Sequence, residues 1–317
     1  MTSILLVKTS SLGDVVHNLP VVSDIGRCVP GAAVDWLIEE SYEAIPRLHP
    51  GVRHVIPVNV RRWRRQWWRG GTRADIGQAI ARLRSTRYDA VIDTQGLFKS
   101  ALLARAAHGL RCGLDWSSAR EPLAWLYDRT FRVPWTLHAV ERNRDLAAQA
   151  LGYLRSPTVD YGVDAVRAGA PADTPYAVLL HSTSARGKLW GEDEWVSVAQ
   201  WLAGQGTRVL LPWGKADEHA RSERLARRMT HASVPQRLSL QAAAEALAGA
   251  ALVIGLDTGL THLAGALGVP TVGVYVSTDP AATGLYGCAR GANAGGKGRA
   301  PSAAAVISAA TAMLSRA

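Results

Sequence analysis

A carboxylate, two hydroxyls and an imidazole fall within six residues at Asp257-Thr258-Gly259-Leu260-Thr261-His262, separated by two residues from the apolar run Leu252, Val253, Ile254. The pattern predicts a strand, a turn and then a short helix over 261–267. The first amides of such a helix have no intrahelical partner and lie at the positive end of its dipole, so they attract anions. Thr258 and Thr261 could add hydroxyl donors, and Gly259 would let the backbone approach a phosphate closely. An ordinary strand-to-helix turn with Asp257 as N-cap uses the same residues, so the stretch alone leaves both uses open.

Three further loops carry reactive groups. Lys8-Thr9-Ser10-Ser11-Leu12-Gly13-Asp14 follows the first apolar run; in an open parallel sheet that loop lies at the carboxyl edge, where ligands bind. Gly13 stands alone, so this is not a dinucleotide fingerprint, and Asp14 is either a helix N-cap or a carboxylate facing a cleft. His181-Ser182-Thr183-Ser184-Ala185-Arg186-Gly187-Lys188 is rich in hydroxyls and contains one lysine, which could neutralise a diphosphate or simply be solvated. Pro212-Trp213-Gly214-Lys215-Ala216-Asp217-Glu218 offers an aromatic face and a carboxylate for ribose hydroxyls. Together with the Asp257 stretch, the last two loops describe a nucleotide site without a Walker lysine or a triple-glycine turn.

The segment from Arg61 to Arg69 holds five arginines and three tryptophans, and no Asp or Glu occurs from residue 44 through 74. Guanidinium forks suit phosphate or carboxylate and tryptophan suits a membrane interface, so the segment fits an anionic amphiphile. The plainer alternative is a solvated basic helix with its tryptophans packed inward. No nucleic-acid module accompanies it, and nucleic acid is not expected as a partner. Lys99 and Arg120 either extend this basic surface or are ordinary surface charges.

The elements that must hold these loops alternate strand and helix twice over. Strands are predicted at 4–7, 33–38, 52–58 and 88–94, with helices at 15–28, kinked at Pro20, then at 42–48 and 138–151. A Gly/Ala/Pro-rich linker at 167–175 precedes a second set: strands at 176–181, 208–211, 252–254 and 271–275, and helices at 192–203, 217–229, 239–248 and 303–314. The expected organisation is α/β, with one domain over 1–165 and another over 166–317. The last helix is allowed to pack back on the first domain. Residues 287–300, rich in Gly and Ala, read as a mobile loop.

Composition narrows the function classes. At 317 residues, 48% hydrophobic and 20% charged, the chain is long enough for two cores and too apolar to be disordered. No apolar run approaches the roughly 20 residues that span a bilayer, and the start lacks the pattern of a signal peptide, so a cytoplasmic location is expected. Cys28, Cys112 and Cys288 are too widely spaced for a disulfide framework or a zinc site. Of the net charge of +10, residues 1–160 supply 22 basic against 15 acidic side chains and the remainder 14 against 11, so the first half should meet the more anionic partner.

Five segments in one order along nearly the whole chain resemble the ADP-heptose:lipopolysaccharide heptosyltransferase family. They are the Lys8 to Asp14 loop, Arg61-Arg62-Trp63-Arg64, Asp93-Thr94-Gln95-Gly96-Leu97, Pro212-Trp213-Gly214 and Asp257 to His262. The Arg-Arg-Trp-Arg run favours the type I branch over type II, which shares the Gly-Asp loop and the Asp-Thr-Gly stretch. The resemblance implies a GT-B glycosyltransferase, two Rossmann-like α/β domains facing each other across a deep cleft. It would transfer L-glycero-D-manno-heptose from ADP-heptose to the Kdo of Kdo2-lipid A, inverting the donor. No metal and no cofactor beyond that co-substrate are implied, and the place of work is the cytoplasmic face of the inner membrane, an anionic surface.

The same resemblance makes Asp14 the base that takes the acceptor's proton, with Lys188 acting at the leaving diphosphate. Thr183, Ser184, Lys188, Thr258, Gly259 and His262 carry over to the diphosphate, Asp257 to the donor sugar and Glu218 to the ribose. Arg61, Arg62, Arg64, Lys99 and Arg120 carry over to the anionic acceptor, and Arg65 continues their run. Arg186-Gly187 departs from the family, whose members carry acidic residues just before the loop lysine. Two alternatives are a type II enzyme acting on an already heptosylated core and a non-catalytic protein that binds anionic lipid. A nicotinamide oxidoreductase is disfavoured by the missing triple-glycine turn.

Overall fold

The computed structural model describes residues 2–163, 175–183 and 185–315. The expected linker lies outside them except for Pro175, and Ser184 lies outside them too. The chain divides into two compact units, 1–162 and 163–317, each built on a six-stranded sheet whose strands pair in parallel.

In the first unit the order along the chain is β1 (Ser3–Val7), α1 (Leu12–Val16), α2 (Leu19–Cys28), β2 (Ala33–Glu39), β3 (Val52–Val58), α3 (Val60–Gln66), α4 (Gly70–Arg84), β4 (Arg87–Asp93), α5 (Phe98–Ala106), β5 (His108–Leu114), β6 (Arg129–Phe131) and α6 (Ala139–Leu151). The sheet runs β3-β2-β1-β4-β5-β6. Ile4 to Val7 and Trp36 to Ile38 are wholly buried, as expected of parallel strands covered on both faces. Chain order reverses between β1 and β4, whose last residues Val7 and Asp93 lie side by side. The loops that follow them therefore meet at the sheet's switch point.

Two helix expectations in this unit are corrected by proline. The helix expected over 15–28 is two helices, α1 and α2, with Pro20 in the first turn of the second, where a missing N–H costs nothing. The one expected over 42–48 is a pair of short 3-10 turns, Glu40–Tyr42 and Pro46–Leu48, because Pro46 cannot donate to a continuous helix.

The second unit contains β7 (Tyr176–Leu180), α7 (Glu192–Gly204), β8 (Arg208–Leu210), α8 (Ala216–Ala226), β9 (Ala232–Ser233), α9 (Leu240–Ala248), β10 (Leu252–Leu256), α10 (Gly259–Ala266), β11 (Thr271–Tyr275), α11 (Pro280–Thr283), β12 (Gly291–Gly295) and α12 (Ala303–Leu314). Its sheet runs β12-β11-β10-β7-β8-β9, which read from β9 repeats the order of the first, with the switch point between β7 and β10. Trp195 is fully buried and its ring meets that of Trp190 edge-on at 5.0 Å.

The stretch expected as a mobile loop over 287–300 contains β12, which pairs residue by residue with β11 from Gly291 to Gly295. The ladder groups of β11 offer that pairing whatever the weak strand propensity of glycine and alanine, and Ala294 joins the core. Ala303, Val306, Ala310 and Met313 of α12 enter the core of the second unit. No helix among the described residues is long and apolar enough to cross a membrane.

Candidate active site

Asp93 organises the first switch point. It is completely buried, and burial pushes its carboxyl above the ordinary value against the pull of its hydrogen bonds. Oδ1 accepts from the backbone of Gln95 at 2.9 Å and Gly96 at 3.2 Å, while Tyr127 donates to Oδ2 at 2.8 Å. Gln95 is thereby turned toward the other loop, where its Oε1 accepts from the backbone of Thr9 at 2.9 Å and Ser10 at 3.0 Å. The two loops are one rigid piece.

Asp14 is not the N-cap that its position allowed, because Ser11 takes that place, but it does face a pocket. It is the third residue of α1, and its Oδ2 accepts from the backbone N–H and the hydroxyl of Ser11, each at 2.8 Å, as in a capping box. It also lines a pocket with Lys8, Thr94, Arg120, Arg142 and Asn143. Ser11 fixes the carboxylate through one oxygen, and among the described residues Oδ1 carries no hydrogen bond.

Three cations surround that carboxylate. Lys8 is buried, donates to the carbonyl of Thr94 at 2.7 Å and to Asn143 Oδ1 at 3.1 Å, and burial pulls its pKa down to about 8 against the charges of Asp14 and Asp93. Arg142 lies 3.5 Å over the Trp135 ring and donates to the carbonyl of Ser118 at 2.7 Å. Burial first, and the like charge of Arg120 second, push it down to about 10. Arg120 itself is exposed. Like charges held together at such a cost mark a place prepared for an anion.

The basic segment is α3 and the turn after it. Asn59 caps the helix by accepting from Arg62 N at 3.1 Å, and buried Glu39 accepts from the N–H groups of Val60 and Arg61 at 3.3 Å. Arg61, Arg64 and Arg65 are exposed and have no acidic partner among the described residues. Arg62 differs, because Asp75 of α4 supplies the counter-ion that the neighbouring sequence lacks. Trp63 turns inward onto the core while Trp67 and Trp68 are 63% and 58% exposed, so the solvated helix with inward tryptophans describes only one ring of three. Lys99 reaches Ser10 Oγ at 2.6 Å and so touches the Asp14 loop.

At the second switch point Lys188, from the loop after β7, meets Asp257, from the loop after β10. Lys188 Nζ lies 2.6 Å from Asp257 Oδ2, and His262 Nε2 lies 3.2 Å from Oδ1. Burial raises the pKa of Asp257, yet the hydrogen bonds and charges of His262 and Lys188 outweigh it and hold the carboxyl well below the usual range. The helix start differs from the expectation: α10 begins at Gly259 with Thr258 as its N-cap, so Asp257 is not the cap. Thr261 spends its hydroxyl proton on the carbonyl of Leu256 at 2.6 Å, which removes it from the expected anion donors. Thr258 and Gly259 stay half-exposed at the helix start, and Thr183 is half-buried on the β7 loop. Glu218 sits in the first turn of α8, where its Oε2 accepts from Gly214 N at 2.8 Å and Lys215 N at 3.1 Å.

The structure thus joins Lys188, Asp257, Thr258, Gly259 and His262, and separately joins Asp14 with Arg120. Lys8, Arg142 and Asn143 belong with Asp14 and were missed. A lysine directly after a buried strand was the available signal for Lys8; for Arg142, one charge in a helical stretch gave none.

Two Rossmann-like parallel sheets, each with charged loops at its switch point, are the make-up of a GT-B glycosyltransferase. The chain belongs to glycosyltransferase family 9 (heptosyltransferase), whose profile matches residues 76–310, and it is an enzyme of that family. It is 44% identical over 289 residues to lipopolysaccharide heptosyltransferase 1 of Escherichia coli K12, covering 90% of this chain and 91% of that one. Against lipopolysaccharide heptosyltransferase 1 of Pseudomonas aeruginosa it is 47% identical over 288 residues, covering 90% and 81%. The solved structure of E. coli heptosyltransferase WaaC with ADP-2-deoxy-2-fluoro heptose matches with a TM-score of 0.88 at 40% identity, covering 100% of each chain.

Proposed function

We propose that this chain transfers L-glycero-D-manno-heptose from ADP-heptose to the Kdo of Kdo2-lipid A with inversion and without a metal. The observation that carries the reading is one carboxylate, Asp14, lining a pocket with Lys8, Arg120 and Arg142. An acidic sugar brought there has its charge met by the cations and its hydroxyl offered to Oδ1 of Asp14. That oxygen takes the proton as the hydroxyl oxygen attacks the donor's anomeric carbon, and the bond to ADP breaks on the opposite face. The named relatives and the ADP-sugar analogue held by the solved one support donor and acceptor alike.

The donor falls to the second unit. Its diphosphate meets Lys188, the start of α10 and the hydroxyls of Thr183 and Thr258, which supply positive charge and donors as the leaving group gains charge. Asp257, bonded to both Lys188 and His262, faces the sugar, His262 joins the diphosphate contacts, and Glu218 takes the ribose through its remaining oxygen. Ser184 joins the diphosphate contacts on the family pattern alone. Arg61, Arg62, Arg64, Arg65 and Lys99 serve the acceptor's other anionic groups.

The place of work is the anionic cytoplasmic face of the inner membrane. Among the described residues, eight of the nine exposed large hydrophobic side chains belong to the first unit, Trp67, Trp68, Trp116 and Trp125 among them. These lie in the half that carries most of the positive charge.

The reading is tested with ADP-heptose and a water-soluble deacylated acceptor in EDTA, following ADP release and the product's anomeric configuration by NMR. Acceptor-dependent ADP release with the configuration inverted is expected. Retention, or loss of activity in EDTA, overturns the corresponding part.

A further inference from the structure

We infer that the hollow between α3, α4 and α5 takes up one acyl chain of an anionic membrane phospholipid, so that the protein grips a bilayer by insertion as well as by charge. The hollow measures about 550 Å³, within the range of small-ligand sites, roughly 300–1,000 Å³. Trp63, Ile76, Ile80 and Leu103 line it. Phe98 and Leu102, one turn apart on α5, leave 47% and 50% of their surface in solvent at its edge.

Its rim is cationic. Exposed Arg64 and half-buried Lys99 are among its lining residues, and Arg61 and Arg65 neighbour Arg64 on α3. The acid in the wall, Glu121, is already engaged by the first N–H of α5 at 2.6 Å. The Trp63 indole N–H is buried with no partner among the described residues, a donor available to a lipid ester or phosphate oxygen. Exposed Trp67 and Trp68 follow α3 directly. An apolar slot, a basic mouth and interfacial tryptophans together match an anionic lipid from headgroup to chain. A helix of a partner protein would match Arg64 and Lys99 only if it were acidic.

The inference rests on the membrane reading above, but not on the sugar chemistry. The full chain is mixed with vesicles of phosphatidylcholine, with or without phosphatidylglycerol, carrying brominated acyl chains that quench tryptophan at close range. Binding is followed by sedimentation and insertion by fluorescence, for wild type, Trp63→Phe, Leu102→Asp and Ala106→Phe, which fills the slot. Wild type should bind the anionic vesicles with quenching that drops in Trp63→Phe. Leu102→Asp and Ala106→Phe should bind about tenfold or more weakly, as expected when a few methylenes stay in water. Turnover of a soluble deacylated acceptor should not change in Leu102→Asp, which also reports folding. Anionic vesicle binding that ignores Leu102→Asp and Ala106→Phe and shows no quenching from Trp63 overturns the slot and leaves the membrane reading standing. Absence of all vesicle binding removes both, and equal binding to pure phosphatidylcholine removes the anionic headgroup.

Discussion

Lys188 Nζ and Asp257 Oδ2 are held 2.6 Å apart although 69 residues separate them in the chain. The pair ties the loop after β7 to the loop after β10, and a diphosphate arriving at the start of α10 must share Lys188 with a carboxylate already bound to it. Lys188→Met should therefore weaken ADP binding roughly ten- to hundredfold, the range of a lost charge-assisted hydrogen bond. Asp257→Asn should bind ADP at least as tightly, because the lysine is released, yet lose most turnover. Calorimetric titration with ADP checks both, and an Asp257→Asn protein that binds ADP more weakly would show the carboxylate to be a scaffold for the site.

The same carboxyl sets a pH dependence. Its folded pKa lies below its unfolded one, so its stabilisation is complete above the ordinary carboxylate value of about 4 and is lost as pH falls from there through the folded value. Acid unfolding should flatten below about pH 4 in Asp257→Asn relative to wild type. Identical acid limbs would mean the carboxyl is no better held in the folded protein than in the unfolded one.

Asp14 is both the capping-box partner of Ser11 and the proposed base, and two variants separate the roles. Asp14→Asn keeps an oxygen for Ser11 and should retain stability while losing about 10²- to 10⁴-fold in turnover. Asp14→Ala should lose turnover equally and about 1 kcal/mol of stability as well. ADP affinity should be unchanged in both. Substantial turnover in Asp14→Asn would leave only the capping-box role.

Lys8 gives a limb of the same sign in a higher pH window. Its pKa falls from 10.5 unfolded to about 8 folded, so the unfolded chain binds more protons between those values and stability gains from Lys8 as pH rises through that window. Lys8→Met should remove this gain. Catalysis should run the other way: loss of the cation above about pH 8 lowers kcat/KM for an anionic acceptor, and Lys8→Arg should extend activity upward if the guanidinium fits. A profile for Lys8→Met that still breaks at the same pH would assign the limb elsewhere.

Gly255 has a packing role. A methyl group there would overlap the Thr261 hydroxyl, which crosses this point of β10 to reach the carbonyl of Leu256, and would press on Leu180. Gly255→Ala should cost about 1–3 kcal/mol of stability and weaken ADP binding by displacing the start of α10. Denaturant unfolding of the second unit measures the first effect.

The strands at the sheet centres were legible because they are unbroken aliphatic runs, and the helices expected from 138 and 239 begin one residue later, with His138 and Ser239 as their caps. β12 was not legible: glycine and alanine carry no strand signal, and only the free edge of β11 recruits them. Local motifs singled out Asp14, Lys188 and Asp257, each in the segment that follows a strand. Lys8 and Arg142 stayed hidden because their importance comes from partners far off in sequence, Asn143 and Ser118 among them. The same holds for Asp75, which neutralises Arg62 from the next helix.

The most direct measurement is the mass of Kdo2-lipid A after incubation with ADP-heptose and either wild-type protein or Asp14→Asn. A gain of one heptose with wild type and none with the variant is the predicted result. No gain with wild type, alongside a gain on an acceptor already bearing one heptose, would contradict it and move the enzyme to a later step of core assembly.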